Sequence, residues 1–233
     1  MSPLTRTNQI VAQWCPPILL PGLKAAYRWT RGNAPAGTSP QGQDLGVYWD
    51  ATMAEVLETW GEGNVWNEIQ LIMAGRQGRT LDIACGTGKA MEMLVDNLDL
   101  ELWGCDISDL LISHAVAKGL SQDRLYVGDA TNLPYPDGHF EYSFSIGSIE
   151  HFTEKGISAM LLECRRITRV MAFHTHPVSR DGRDHGWIKT VQSYFNNSVE
   201  WWLPKYRSAF SNVKVLDSKW CDDRSIGKWF ICS

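Results

Sequence analysis

The residues best suited to chemistry begin at Leu81-Asp82-Ile83-Ala84-Cys85-Gly86-Thr87-Gly88, an apolar run that enters a glycine-rich turn. Glycine lets the backbone turn sharply and approach a ligand with no Cβ in the way. A helix opening near Gly88 would aim unsatisfied N–H groups at whatever lies there. Asp106 closes the next apolar run, Leu102-Trp-Gly-Cys-Asp106, and Asp129 follows the one after it in Gly128-Asp129-Ala130. The first of these carboxylates is placed to accept hydrogen bonds from a ribose diol. The second can accept from an adenine amino group while a neighbouring backbone N–H donates to a ring nitrogen. Either acid alone could as well be a helix cap or a turn residue. Two of them, after successive strands and in register with the glycine turn, point to a nucleoside-bearing ligand. A nicotinamide dinucleotide does not fit, because its G-x-G-x-x-G fingerprint needs a third glycine where Met91 stands, and methionine obstructs the close helix–strand packing that glycine permits.

Four histidines could move a proton. His151 follows Glu150 just after the apolar run 140–146, His174 and His176 lie at the end of the run 167–174, and His185 lies in Arg183-Asp-His-Gly-Trp187. A side chain titrating near pH 6.5 suits proton removal from a hydroxyl. His151, in the loop nearest the expected crevice, is the candidate general base; a structural histidine bonded to a neighbouring turn is the competing reading. For His174 and His176 a satisfied pair at a strand end is favoured, and for His-x-His with His185 a metal site is the minority reading.

Positioning these residues takes alternating strands and helices. Apolar runs give strands at 79–84, 100–105, 124–127, 140–146, 167–174, 211–219 and 226–232, and helices fit at 88–97, 109–118, 153–165 and 191–209. Such alternation predicts an α/β fold, doubly wound, with a mainly parallel seven-stranded sheet and helices on both faces. The short link 222–225 permits a hairpin, so the last strand is expected to run antiparallel. Two more helical patterns occupy about 50–60 and 64–75, the second capped by Asn64. Residues 1–44 read as a basic arm, since the first 43 residues hold no Asp or Glu but carry Arg6, Lys24, Arg28 and Arg31. The remaining domain spans 45–233, with a ligand-binding core at 79–175.

Leu81–Gly88, Asp106, Gly128-Asp129-Ala130 and Phe140-Glu-Tyr-Ser-Phe-Ser-Ile-Gly-Ser-Ile-Glu-His151 together resemble the motifs of class I (Rossmann-like) small-molecule methyltransferases, in the broad group that includes the ubiquinone-biosynthesis enzymes. The resemblance implies S-adenosylmethionine as cofactor. It implies Asp82, Ala84 and Gly86 at the methionine end, Asp106 and Ile107 at the ribose and adenine, Asp129 and Ala130 at the adenine edge, and Ser145 and Ile146 beside the sulfonium. Tyr48 resembles the aromatic that closes over the cofactor from the N-terminal side. Where a base-methylating enzyme carries an Asn/Asp-Pro-Pro-aromatic sequence, this chain has Ser145-Ile-Gly-Ser-Ile-Glu150. Some relatives hold a divalent metal with E-x-x-E-H, but Gly147 replaces the first Glu, so no metal is expected. The acceptor is expected to be a small molecule methylated at oxygen, with a sugar or sugar-linked compound as the guess. Methylation at nitrogen or carbon, or a catalytically silent cofactor-binding protein, are the alternatives.

The bulk numbers agree with this class. A chain of 233 residues with 44% hydrophobic and 21% charged residues is ordinary for a globular protein. A net charge of −4 argues against gripping a phosphate backbone, so no nucleic-acid partner is expected. Six scattered cysteines without a C-x-x-C pair favour free thiols and a cytoplasmic setting. The apolar stretch 10–23 is broken by Gln13, Pro16, Pro17 and Pro21, so it cannot run as a spanning helix, although the arm could touch a membrane surface or a partner groove. Eleven tryptophans fall outside the glycine-turn region, mostly in the first 66 residues and after residue 186. They read as packing first, and as walls of an acceptor pocket second.

Overall fold

A computed structural model describes residues 51–97, 99–188 and 193–233. The basic arm at 1–44 and Tyr48 lie outside the described residues. The elements are α1 (Ala51–Thr59), α2 (Val65–Met73), β1 (Gly78–Ile83), α3 (Lys89–Leu94), β2 (Leu100–Asp106), α4 (Asp109–Ala117), β3 (Leu125–Val127), β4 (Phe140–Ile146), α5 (Glu154–Ile167), β5 (Thr168–Ser179), β6 (Trp187–Ile188), β7 (Tyr194–Phe195), α6 (Val199–Ala209), β8 (Val213–Cys221) and β9 (Ser225–Cys232). Seven strands form one sheet in the order β3-β2-β1-β4-β5-β9-β8. The pairs from β3 to β5 are parallel, and β9 runs antiparallel to both of its neighbours, as the short link before it predicts. Successive connections part in opposite directions on either side of β1, and the crevice at such a switch point is where ligands settle in open α/β sheets.

Strand alternation sends each side chain to one of two cores. Leu81, Ile83, Ala172, Phe230 and Cys232 pack beneath α5 and α6, against Ile157, Met160, Leu161, Trp202 and Tyr206. Phe144, Phe173 and Trp229 pack on the other face, against Trp60, Trp66, Ile69 and Met73 of the α1–α2 region and Leu94 of α3. The helices begin where their caps allow: Thr153 Oγ1 accepts from Gly156 N at 3.1 Å, and Ser108 Oγ from Leu111 N at 3.3 Å. Arg166, in the basic cluster at the end of α5, bonds Glu163, Asp137 and the carbonyls of Leu133 and Tyr135. It clamps the loop between β3 and β4 and so has a structural task.

Two elements depart from the expected bounds. The fifth strand runs to Ser179 instead of ending at 174, because β9 supplies partners for the added length, pairing His176 with Lys228 and Val178 with Ile226. The helix expected at 191–209 starts only at Val199. Tyr194 and Phe195 pair instead with Ile188 and Trp187, and Asn197 and Asp184 hold the turn by accepting from Gly186 N and Ser198 N. Side chains that bond local backbone in this way compete with helix and favour its cap. Among the described residues all five cysteines are free thiols, and no helix is long and apolar enough to cross a membrane.

Candidate active site

A single cleft opens at the carboxyl ends of β1, β2, β4 and β5, enclosing about 1590 Å³ of empty space with the open solvent at its mouth included. Its floor at one end is the turn after β1. Ala84 there has φ 58°, the one non-glycine residue with positive φ among those described. A side chain in that region costs on the order of 1 kcal/mol or more, and such strain gathers at ligand sites. Gly88, φ 74°, then caps α3 without a side-chain bond, leaving the first N–H groups of that helix facing the turn.

Asp106 locks this turn in place. Its Oδ2 accepts from Gly86 N at 2.8 Å and its Oδ1 from Ser108 N at 2.9 Å. The Ile107 N–H also bonds this carboxyl, and of the roughly four lone-pair directions of a carboxylate about one remains for a ligand. Burial raises its pKa above the ordinary value against the pull of these N–H donors. Asp82 is raised well above its ordinary range by burial first and by the charge of Asp106 second, and its buried Oδ2 has no partner. An unpaired buried carboxyl beside a glycine turn fits the amino-acid end of an S-adenosyl ligand, whose ammonium would satisfy it. Asp129 is exposed and bonds Thr131 N at 2.8 Å through Oδ1, keeping its other oxygen for a ligand. Asp82, Ala84, Gly86, Asp106, Ile107, Asp129, Ala130 and Ile146 all line the cleft, as does His151.

Ser145 does not join them. It is fully buried and its hydroxyl lies 2.8 Å from His174 Nδ1, on the α5 side of the sheet. Adjacent strand residues face opposite ways, so Ile146 and Ser145 could not both reach the cleft through their side chains. His174 is buried with it, its other nitrogen 3.6 Å from Cys164 Sγ, and burial pushes its pKa down to about 3. His185 is exposed and bonds Asp181 at 2.9 Å, away from the cleft.

The opposite end of the cleft is built differently. The turn Ile149–His151 places His151 with Nδ1 2.9 Å from the carbonyl of Ser193. A carbonyl only accepts, so Nδ1 carries the hydrogen and Nε2 the lone pair. Burial pushes His151 down to about 4, so the ring is neutral across the physiological range. Its Nε2 lies 3.7 Å from Glu150 Oε1. Glu150 is a residue that sequence reasoning weighed only as a fragment of a metal motif. It is 3% exposed, lines the cleft, and burial pushes its carboxyl up to about 8. The signal was available in a lone acid set among Ile149, His151 and Phe152. His176, expected at a strand end, instead lies inside the longer β5 and reaches the cleft. Trp60, Trp66 and Trp220 line the cleft and also belong to the core on the α1–α2 face, whereas Trp202 and Trp229 only pack the cores, so some tryptophans serve both expected uses at once. Among the described residues no three His, Cys, Asp or Glu side chains converge as metal ligands.

Residues 80–170 match the family described as methyltransferase domain. That match, over less than half of the chain and carried on the Rossmann-like sheet, supports a class I methyltransferase domain with S-adenosylmethionine as its cofactor. Similar proteins include ajmaline N-methyltransferase of Rauvolfia serpentina, 38% identical over 32% of this chain and 28% of the relative. Demethylmenaquinone methyltransferase of Thermotoga maritima is 30% identical over 48% of each chain, in keeping with the ubiquinone-type resemblance. Proteins named as tRNA methyltransferases are among the relatives too. This chain thus spans half or less of the length of these relatives. Haemonchus contortus phosphoethanolamine N-methyltransferase 2, solved with phosphomonomethylethanolamine and S-adenosylhomocysteine, shares the fold at TM-score 0.57 and 17% identity, over 72% of this chain and 52% of that one.

Proposed function

We propose that the whole chain transfers a methyl group from S-adenosylmethionine to a hydroxyl of a small-molecule acceptor, a sugar or sugar-linked compound being the candidate. The observation that supports this reading is one cleft with two unlike ends. The glycine turn with Asp82, Asp106 and Asp129 suits a charged nucleoside, and Glu150 with His151 suits an acceptor that must lose a proton. Asp82, Ala84 and Gly86 would hold the methionine end, Asp106 and Ile107 the ribose and adenine, Asp129 and Ala130 the adenine edge, and Ile146 would lie near the sulfonium. The cofactor supplies an activated methyl group when bound.

The chain's own residues do the rest. Trp60, Trp66 and Trp220 exclude water and fix the acceptor's approach, and in-line positioning alone can supply much of the rate. His151 Nε2 receives the hydroxyl proton, and Glu150 beside it stabilises the imidazolium that forms once its own carboxyl ionises, toward about pH 8. The net charge of −4 and the few basic side chains at the cleft speak for a small molecule over nucleic acid. An amine acceptor is the second reading, favoured by the likeness to an N-methyltransferase; proximity would then suffice and the histidine would matter less.

Calorimetry with S-adenosylmethionine, S-adenosylhomocysteine and a nicotinamide dinucleotide tests the cofactor assignment. The first two should bind with micromolar affinity, on the order of −8 kcal/mol. Binding of the dinucleotide alone would overturn it. Release of S-adenosylhomocysteine in the presence of hydroxylated and amine acceptors then decides the methylated atom.

A further inference from the structure

Four polar atoms beneath the acceptor end of the cleft are buried without hydrogen-bond partners: Glu150 Oε2, His176 Nε2, Trp202 Nε1 and the Tyr206 hydroxyl. Buried polar groups are almost always satisfied, and an exception calls for a missing partner. These four belong to one neighbourhood. The His176 ring lies 4.1 Å from that of Trp202 and 6.0 Å from that of Tyr206, to which it is parallel. Burial holds the Tyr206 hydroxyl well above its ordinary range, with Cys232 and then Glu150 adding to the effect, which places Glu150 near that ring. Two of the four, Glu150 and His176, line the cleft itself.

We propose that Glu150, His176, Trp202 and Tyr206 form a recess that reads the acceptor, and that it takes an uncharged, hydroxyl-bearing ring. The claim rests on the reading of the cleft as a methyl-transfer site and names the substrate class. Hydrogen-bond complementarity selects that class. Trp202 can only donate. His176 can only accept, since its Nδ1 hydrogen is committed to the Pro177 carbonyl at 3.1 Å, and burial keeps the ring neutral by pushing it down to about 3. The Tyr206 hydroxyl can do either. A hydroxyl donates once and accepts twice, so it satisfies both kinds of partner. An anion, which only accepts, would set its oxygens against His176 Nε2. Lys89 is the one Lys or Arg among the described residues that line the cleft, and it belongs to α3 at the glycine turn, bonded to Glu92. An ammonium, which only donates, would leave the Trp202 N–H unmet. The apolar part of the ring would lie against Trp60 and Trp220, whose faces suit the body of a cyclic ligand.

The test uses the full chain loaded with S-adenosylhomocysteine and four ring probes of similar size: phenol, toluene, benzoate and benzylamine. Ligand-observed NMR titrations should show phenol bound at least tenfold more tightly than the other three. Tyr206→Phe keeps the ring and removes only the hydroxyl, whereas His176→Phe removes both ring nitrogens and with them the bond to the Pro177 carbonyl. Both should bring phenol and toluene within about twofold of each other, with S-adenosylhomocysteine affinity unchanged. A preference for benzoate or benzylamine, equal binding of phenol and toluene by the wild type, or a phenol preference that survives both substitutions overturns the proposal. Failure of S-adenosylhomocysteine to bind would strike the cofactor reading alone, since phenol titrated without it still reports on the recess.

Discussion

Glu150→Gln should stabilise the protein at alkaline pH and leave it nearly unchanged at acid pH. Burial raises the carboxyl from the ordinary 4.5 to about 8 in the native state. Below pH 4.5 it is protonated in both folded and unfolded chains, and the amide of Gln mimics the neutral acid. Between 4.5 and 8 the unfolded chain has released the proton and the native chain has kept it. The unfolded state therefore binds fewer protons, and stability falls as pH rises. The slope is about 1.4 kcal/mol per pH unit for one group. Across the window this amounts to roughly 4–5 kcal/mol at most, and water entering the cleft reduces it, so a loss of roughly 2–5 kcal/mol is expected. Above pH 8 both states are ionised and the loss stays constant. Urea unfolding of wild type and variant at each pH from 5 to 9 reads the effect as a difference. Asp82 and Asp106, also raised by burial, are common to both proteins and cancel. A difference that is flat with pH would refute the burial argument, and with it the picture of an unpaired carboxyl under the cleft.

Three further outcomes are expected. Asp106→Asn keeps one of the two turn bonds to Gly86 N and Ser108 N and sets an N–H₂ against the other, so stability should fall by roughly 1–3 kcal/mol in denaturant and cofactor affinity by a similar amount. Full affinity in the folded variant would sink the ribose assignment. Ser145→Ala should leave cofactor affinity unchanged while costing roughly 1–3 kcal/mol, because His174 Nδ1 loses its buried partner; weaker cofactor binding would restore Ser145 to the site. His151→Ala should lower turnover of a hydroxyl acceptor by roughly 10²–10⁴-fold. The wild-type pH–rate profile should lose activity only as pH falls toward about 4, where His151 takes up a proton, instead of near 6.5, and should gain it toward about 8 as Glu150 ionises. An identical acid limb in variant and wild type would remove His151 from the mechanism.

The sheet was legible because the central parallel strands are largely buried and therefore read as mostly apolar runs, as in Leu102–Cys105, with Asp82 as the one charged residue in Leu81–Ala84. Strand ends were harder. Nothing local marks where β5 stops, since its last five residues are held by β9, some fifty residues later in the chain. The start of α6 was hidden for a related reason. Tyr194 and Phe195 have the apolar character that a helix face would need, and only their pairing with Trp187 and Ile188 makes them strand. In both places long-range pairing overrode local pattern.

Most residues at the glycine-turn end of the cleft were singled out in the sequence and most around Glu150 were not, and the difference is physical. A nucleoside with a charged tail is read by backbone turns and carboxylates at strand ends, which leave fixed spacings such as the twenty residues from Gly86 to Asp106. Even there the family resemblance implied Ser145 beside the sulfonium, whereas side-chain parity sends its hydroxyl to His174 on the far face. The end around Glu150, where the acceptor is proposed to bind, is assembled from a turn after β4, the extension of β5 and the first turns of α6, three segments whose meeting depends on the two departures just described. His176 reaches the cleft only because β5 runs on past residue 174, and Trp202 and Tyr206 stand beside it only because α6 begins at Val199. The chemistry of His176 changes with its place: at a solvated strand end it would titrate near pH 6.5, but enclosed by Trp202, Tyr206 and Phe230 it is a fixed neutral acceptor. A group that cannot change its charge is a poor proton carrier and a good reader of hydroxyls. The longer strand therefore turns a candidate base into a candidate specificity residue.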